Sequence, residues 1–391
     1  MIDRISHLKK GLPLLLLFLA ALAVRAPAEA LETRAQQAFL VDMTTGAVLF
    51  EKNADELMAP ASMTKIMTAV LVFERLEDGR LSLDTELQVS EKAWRKGGSK
   101  MFVDINSSVR VEDLMRGIIV QSGNDASIVI AEAIAGSEEA FGELMTETAR
   151  EIGMRDTTFR NSTGWPHPEH LTTARDLAML AEHTIREYSE FYHLYSETSF
   201  TYNNIKQGNR NPLLYKDLGA DGLKTGHTEV SGYGLTASAK RGDRRLILVV
   251  NGLPGVSARS EEAARLLNWG FREYTNLALF ETGAVVETAP VWLGATDDVP
   301  LVLKEEIVVT IPRADRDELK VAAVVDGPVP APIAAGDEVA RLVIEAPGLD
   351  TVEYPLYAGA DVATLDFTGR ILANLRHLIF GAAEAVTANA E

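Results

Sequence analysis

The 391 residues are 47% hydrophobic and 24% charged, enough chain for two or three domains and a sizeable core. A formal charge of −18 makes the protein a poor general binder of nucleic acid or anionic lipid, so any membrane contact must be local. The absence of cysteine excludes disulfides, cysteine nucleophiles and thiolate metal sites.

Met1 to Ala30 reads as a secretory signal peptide. Arg4, His7, Lys9 and Lys10 precede an apolar run from Leu12 to Val24, and Ala28-Glu29-Ala30 closes it as a small-x-small cleavage site. The run is short and holds Pro13, which argues against a spanning anchor. Cleavage removes four basic and two acidic residues and leaves a mature chain nearer −20. No later stretch is apolar enough to span a bilayer.

Residues 37–52 read as two strands joined at Thr44-Thr45-Gly46, a hairpin. Pro60 then precedes Ser62-Met63-Thr64-Lys65, and Ile66, Met67, Ala69, Val70, Leu71 and Phe73 follow. Apolar on so many sides, this segment is expected to be a helix threaded through a core and ending near Asp78-Gly79, its first turn opening on a cleft. Ser62 and Lys65 are three apart and share a face of that turn. A desolvated lysine is neutral enough to take the proton of a serine hydroxyl. Taken alone, Ser-x-x-Lys occurs by chance in many helices.

Val111 to Ile119 reads as a helix running into Gln121-Ser122-Gly123-Asn124, and 127–135, 138–152 and 172–185 also look helical. A β region starts at Asp221-Gly222-Leu223-Lys224-Thr225-Gly226-His227, continues through 234–239 and 245–250, and closes with a helix over 260–274. Strands at both ends with helices between them imply one sheet built from the two ends of a domain, beside a helical subdomain. After Thr275, short β-rich runs separated by Pro, Gly and Asp indicate a small all-β domain. Gly369 to Phe380 carries Ile371, Leu372, Leu375, Leu378, Ile379 and Phe380 on one side with Arg370, Arg376 and His377 elsewhere. That is an amphipathic helix suited to a membrane surface, or to docking on its own β domain.

Three short motifs therefore stand in order: Ser62-x-x-Lys65, Ser122-Gly123-Asn124 and Lys224-Thr225-Gly226. Each is weak alone; their order and separation are the signature of penicilloyl serine transferases. From about Ala30 to Phe380 the chain resembles the D-alanyl-D-alanine carboxypeptidases among the low-molecular-mass penicillin-binding proteins. Lys224-Thr-Gly-His-Thr228, Asn209-Arg210-Asn211 and Leu266-Leu-Asn-Trp-Gly-Phe271 match that family too. The resemblance implies an α+β fold: a penicillin-binding/β-lactamase-like catalytic domain over 31–275, with an antiparallel sheet and a helical subdomain. A leader over 1–30 precedes it, and an all-β domain over 276–366 and an anchoring helix with tail over 367–391 follow.

The family's chemistry, carried onto this sequence, makes Ser62 the nucleophile attacking the penultimate D-alanine carbonyl of a peptidoglycan stem peptide. Lys65 is then the base, with Lys224 as the neighbouring cation that lowers its pKa. Ser122 relays a proton to the departing D-alanine, and Asn124 steadies Lys65 and the substrate amide. The backbone N–H groups of Ser62 and His227 form the oxyanion hole. Lys224 and Thr225 hold the terminal carboxylate from an edge strand, and Gly226 lets the peptide come close. Arg210 and Arg259 match arginines that favour an anionic substrate end, though each also reads as a surface ion-pair arginine. His227 reads equally as an ordered loop histidine. The histidines show no metal-ligand spacing, so neither metal nor cofactor is expected.

The expected protein is a periplasmic carboxypeptidase, held on the outer face of the inner membrane by its last helix and acylated by β-lactams. Three other readings remain. Glu169, in Gly164-Trp165-Pro166-His167-Pro168-Glu169-His170, raises a β-lactamase in which a loop glutamate activates the deacylating water. The same chemistry would also serve an endopeptidase of D-alanyl cross-links. A penicillin-binding module without turnover is the third, against which the intact motifs argue.

Overall fold

The computed structural model describes residues 31–347 and 351–372. The expected leader and all but the first residues of the expected 369–380 helix lie outside them. No helix among the described residues is long and apolar enough to cross a membrane.

The expected hairpin is formed by β1 (Gln37–Asp42) and β2 (Val48–Lys52), with Gly46 at φ 75° in the turn. α1 (Lys65–Glu77) is buried from Lys65 through Phe73, as its all-round apolar sequence requires. A small hairpin follows, β3 (Glu86–Gln88) and β4 (Ser108–Arg110), which encloses α2 (Glu91–Arg95). α3 (Val111–Arg116) is shorter than expected. The chain continues over Gly117–Gln121 as a π-type turn and leaves it through Ser122, whose φ of 69° is left-handed.

α4 (Asn124–Ala135) and α5 (Glu138–Ile152) complete the helical part; Ser137 caps α5 by accepting from Ala140 N at 3.1 Å. α6 (Ala174–Glu187) is capped by Thr173, which accepts from Asp176 N at 3.0 Å. The hairpin of β5 (Ser199–Tyr202) and β6 (Ile205–Gly208) then leads to β7 (Ala220–Thr228), β8 (Gly232–Arg241), β9 (Arg244–Leu253) and α7 (Val256–Glu273).

The main sheet runs β2-β1-β9-β8-β7 and its pairs are antiparallel. It is built from both ends of the domain, as expected, and the period of two sorts its side chains. Phe39 and Val41 on β1, with Ile247 and Val249 on β9, join the core around α1 and α6. The other face meets α7, where a Cβ on Gly270 would approach Leu40 to 2.9 Å and Leu246 to 3.0 Å. Gly270 is thus the flat spot that lets α7 lie against the sheet.

The remaining strands are β10 (Tyr274–Phe280), β11 (Val285–Trp292), β12 (Asp298–Val302), β13 (Ile307–Pro312), β14 (Lys320–Val324), β15 (Val329–Pro330), β16 (Glu338–Glu345) and β17 (Val352–Ala358). They pair as β10-β13 and as a six-stranded sheet, β14-β16-β17-β12-β11-β15. Leu301, Ile311, Leu342 and Leu356 are fully buried between them, giving this all-β part a core of its own. Arg244 ties it to the first part. Its Nε donates to Asp42 Oδ2 at 2.6 Å and its Nη1 to the carbonyl oxygens of Gly270 (3.2 Å) and Tyr274 (2.8 Å).

Candidate active site

Ser62 does not lie on α1 itself but on the 3-10 turn Ala61–Thr64 that feeds it. It opens on a cleft of about 680 Å³, which Ser122, Asn124, Thr225, His227 and Arg259 also line. Gly226 and Arg210 border the same cleft. Lys65 and Lys224 lie behind its surface, 1% and 2% exposed. The residues of the three motifs, distant in sequence, are therefore gathered at one place.

Lys65 Nζ lies 3.0 Å from Ser62 Oγ, 2.8 Å from Asn124 Oδ1 and 2.6 Å from the Thr163 carbonyl oxygen. Asn124 is oriented by its own amide, which donates to Gly97 O at 2.9 Å and so turns Oδ1 toward Lys65. Burial pushes the Lys65 pKa down to about 7; the positive charge of Arg210 contributes next, and Lys96 lowers it further. The cation expected in that role was Lys224, so the ranking differs from the expectation. Lys224 is itself pushed well below the usual lysine range, by burial first and by the charge of Lys65 second. Among the described residues, Ser122 Oγ is buried without a hydrogen-bond partner.

β7 is the edge strand of the main sheet, so Lys224 and Thr225 sit beside an unpaired backbone edge. Gly226 has a packing role that the sequence did not suggest. A Cβ there would stand 2.8 Å from the Pro60 carbonyl oxygen and 3.2 Å from Ala61 Cβ, so the missing side chain lets β7 close on the turn carrying Ser62. His227 is exposed and stacks on Tyr233 with ring centroids 3.9 Å apart. Arg259 is 6% exposed, its guanidinium 5.7 Å from the centre of the Tyr233 ring, and burial pushes its pKa down to about 10. Arg210 is exposed and donates to Ser99 Oγ. Among the described residues, neither arginine has an ion-pair partner.

Several residues of the site were not singled out from the sequence. Asp125 is fully buried and accepts from the backbone N–H groups of Met101 (2.9 Å), Phe102 (2.9 Å) and Val103 (3.3 Å), which binds the 97–103 segment across the Ser-Gly-Asn turn. An acid directly after that motif was the available signal. His170, 2% exposed, accepts from Arg160 N at Nδ1 (3.0 Å), so its Nε2 carries the proton and donates to Thr64 Oγ1 at 2.8 Å. Burial drives its pKa down to about 3, with the charge of His167 next, and the ring stays neutral. Gly164, at φ 78°, presses on Ala61 so closely that a Cβ would collide with its carbonyl. Glu169, in contrast, is 66% exposed, accepts from Arg160 Nε at 3.1 Å and is not among the residues lining the cleft. The loop carboxylate that a β-lactamase would need is turned away.

The family model described as D-alanyl-D-alanine carboxypeptidase matches residues 23–254, and that of the penicillin-binding protein 5 C-terminal domain matches 274–364. D-alanyl-D-alanine carboxypeptidase DacC of Escherichia coli is 38% identical, over 90% of this chain and 90% of that protein. The crystal structure of penicillin binding protein 5 from Haemophilus influenzae, 37% identical, covers 86% of this chain and 99% of that one with a TM-score of 0.77. Penicillin-binding protein D2 from Listeria monocytogenes, solved in an ampicillin-bound form, is 30% identical with a TM-score of 0.57 and covers 62% of this chain and 98% of that one.

Proposed function

The chain belongs to the D-alanyl-D-alanine carboxypeptidase family and is a serine-type carboxypeptidase, and from that premise we propose that Ser62 is the nucleophile and Lys65 its base. The observation that carries this is the surroundings of Lys65 Nζ: two carbonyl-type oxygens, of Asn124 and Thr163, and the Ser62 hydroxyl. A neutral amine has two N–H bonds and one lone pair. With both N–H bonds given to those oxygens, the lone pair is left for the proton of Ser62.

Ser62 Oγ attacks the carbonyl of the penultimate D-alanine while Lys65 takes the proton. The oxyanion is met by the backbone N–H groups of Ser62 and His227. Ser122 passes a proton to the departing D-alanine nitrogen, and water then releases the shortened stem peptide. Lys224 and Thr225 hold the substrate's terminal carboxylate, with Arg210 and Arg259 adding positive charge, while Asn124 holds the substrate amide. β-Lactams acylate Ser62 by the same attack; the ampicillin-bound relative supports this.

The enzyme acts outside the cytoplasm, exported by the basic-apolar segment of residues 1–30 and attached to the inner membrane by 369–380. The sequence pattern supports both steps. The decisive assay gives the mature protein and its Ser62→Ala variant a monomeric pentapeptide muropeptide and a cross-linked dimer, with products read by mass spectrometry. Loss of one alanine from the monomer, abolished in the variant, is expected. Cleavage of the dimer alone would move the reaction to the cross-link. For the anchor, deletion of residues 370–391 is expected to release the protein from vesicles; continued sedimentation with them would reject it.

A further inference from the structure

Trp165 is a large cleft-lining residue to which the catalytic roles assign nothing. It is 44% exposed, yet its backbone is fastened. Asn161 Oδ1 accepts from the N–H groups of Thr163 (3.2 Å), Gly164 (2.8 Å) and Trp165 (3.0 Å), while Asn161 Nδ2 donates to Trp165 O at 3.0 Å. The indole is backed by Gly98, where a Cβ would lie 3.3 Å from ring atom Cζ3. A rigid turn therefore holds a large apolar surface partly in water, beside the nucleophile. Exposing that surface has a cost that a bound aliphatic chain would remove.

Lys96 Nζ stands 4.5 Å from the centre of the Trp165 ring. No described carboxylate lies within ion-pair distance of Lys96, whereas its neighbour Lys92 is paired with Glu138 and Glu139. Among the described residues, the cleft lining contains one carboxylate, Glu229. Lys96 itself does not line the cleft, but it sets a cation against the ring of an aromatic that does. Gly164 and Gly226 contact the Pro60–Ala61 backbone through different atoms, so the Trp165 loop and β7 both border the nucleophile's turn.

We propose that Trp165 and Lys96 form a subsite for the side chain of the stem residue that precedes the two terminal alanines. The aliphatic stem of that side chain lies on the indole, and Lys96 selects a chain ending in a carboxylate over one ending in an ammonium group alone. This rests on the carboxypeptidase reading and names its preferred substrate. The alanine side chains are methyl groups and cannot reach such a platform, and the terminal carboxylate belongs to the Lys224 side of the cleft. The residue upstream is the first with a chain of suitable length.

The test uses two synthetic pentapeptides that differ only in the third residue, meso-diaminopimelate or L-lysine, with the mature wild-type protein, Lys96→Glu and Trp165→Ala. Labelled penicillin reports in parallel whether Ser62 is still acylated. Wild type is expected to favour the diaminopimelate peptide in kcat/KM by roughly three- to five-fold, the range of an exposed charge pair, with a preference that shrinks in salt. Lys96→Glu should reverse the order, and Trp165→Ala should raise KM for both peptides by roughly ten-fold. An equal preference in wild type and Lys96→Glu, with both peptides cleaved, overturns the subsite and leaves the carboxypeptidase standing. Failure of wild type to cleave either peptide while penicillin still labels Ser62 overturns the reaction, and the subsite with it.

Discussion

Lys65 Nζ and Ser62 Oγ stand 3.0 Å apart at the junction of a 3-10 turn and a buried helix, and the lysine pKa is held down to about 7 by burial first and the charge of Arg210 second. A base works only when unprotonated, so the neutral fraction of Lys65 rises as pH climbs through 7. The acylation rate of Ser62 by labelled penicillin should therefore increase from about pH 5.5 to pH 8 with an inflection near 7. His170 does not titrate in that range, because its pKa lies near 3. A rate independent of pH across the window would rule out Lys65 as the base.

Replacing Lys65 by arginine keeps a cation and removes the base, since guanidinium does not deprotonate. Acylation should fall by roughly 10²–10⁴, the usual worth of a general base. Stopped-flow labelling of the variant at pH 8 measures this, and a loss below ten-fold would contradict the assignment.

Asp125 ties the 97–103 segment to the Ser-Gly-Asn turn through backbone N–H groups of Met101, Phe102 and Val103. Asp125→Ala leaves those donors unpaired and should cost about 2–4 kcal/mol of stability, with Asp125→Asn recovering part of it. Denaturant unfolding gives the number. An unchanged midpoint in the alanine variant would show that the segment is held by other contacts.

His170 joins the 160–170 loop to Thr64 as a neutral donor and acceptor. Its replacement by leucine leaves the Arg160 N–H and the Thr64 hydroxyl without that partner, and it loosens the loop whose Thr163 carbonyl accepts from Lys65. We expect acylation to slow by roughly ten-fold or more while the protein remains folded, at a stability cost of about 1–3 kcal/mol. Circular dichroism and penicillin labelling on the same sample separate the two effects.

Arg244 meets Asp42, which is fully buried, and the carbonyls of Gly270 and Tyr274 where the two parts of the chain join. Arg244→Ala leaves a buried carboxylate without its cation and should destabilise by about 3–5 kcal/mol. Thermal unfolding tests this, and a loss under 1 kcal/mol would mean that Thr44 N and Asn276 Nδ2, which also bond Asp42, suffice.

Much of this arrangement was legible in the chain itself. The apolar run after Lys65 required a buried helix, and the alternation over 37–52 required paired strands, because periodicity reports which sides of an element meet water. The order of the three motifs pointed to the chemistry and to the residues gathered in the cleft. Boundaries were less legible. Ser62 sits on a 3-10 turn and the helix from Val111 gives way to a π-type turn at Gly117, both set by what packs around them.

By itself, the sequence determined the elements, their order and the candidate side chains that the fold gathers at one cleft, since these depend on local patterning and on motif spacing. Tertiary structure alone decided how those groups behave. Lys65 is held near neutrality because burial disfavours its charge, and Asn124 and the Thr163 carbonyl, from distant parts of the chain, accept from its Nζ. Gly226 and Gly164 matter through backbone contacts with the Pro60–Ala61 turn that no spacing rule contains. Glu169, close to the site in sequence, turns outward to Arg160, because an exposed carboxylate finds a cation and water at lower cost than a place in the cleft.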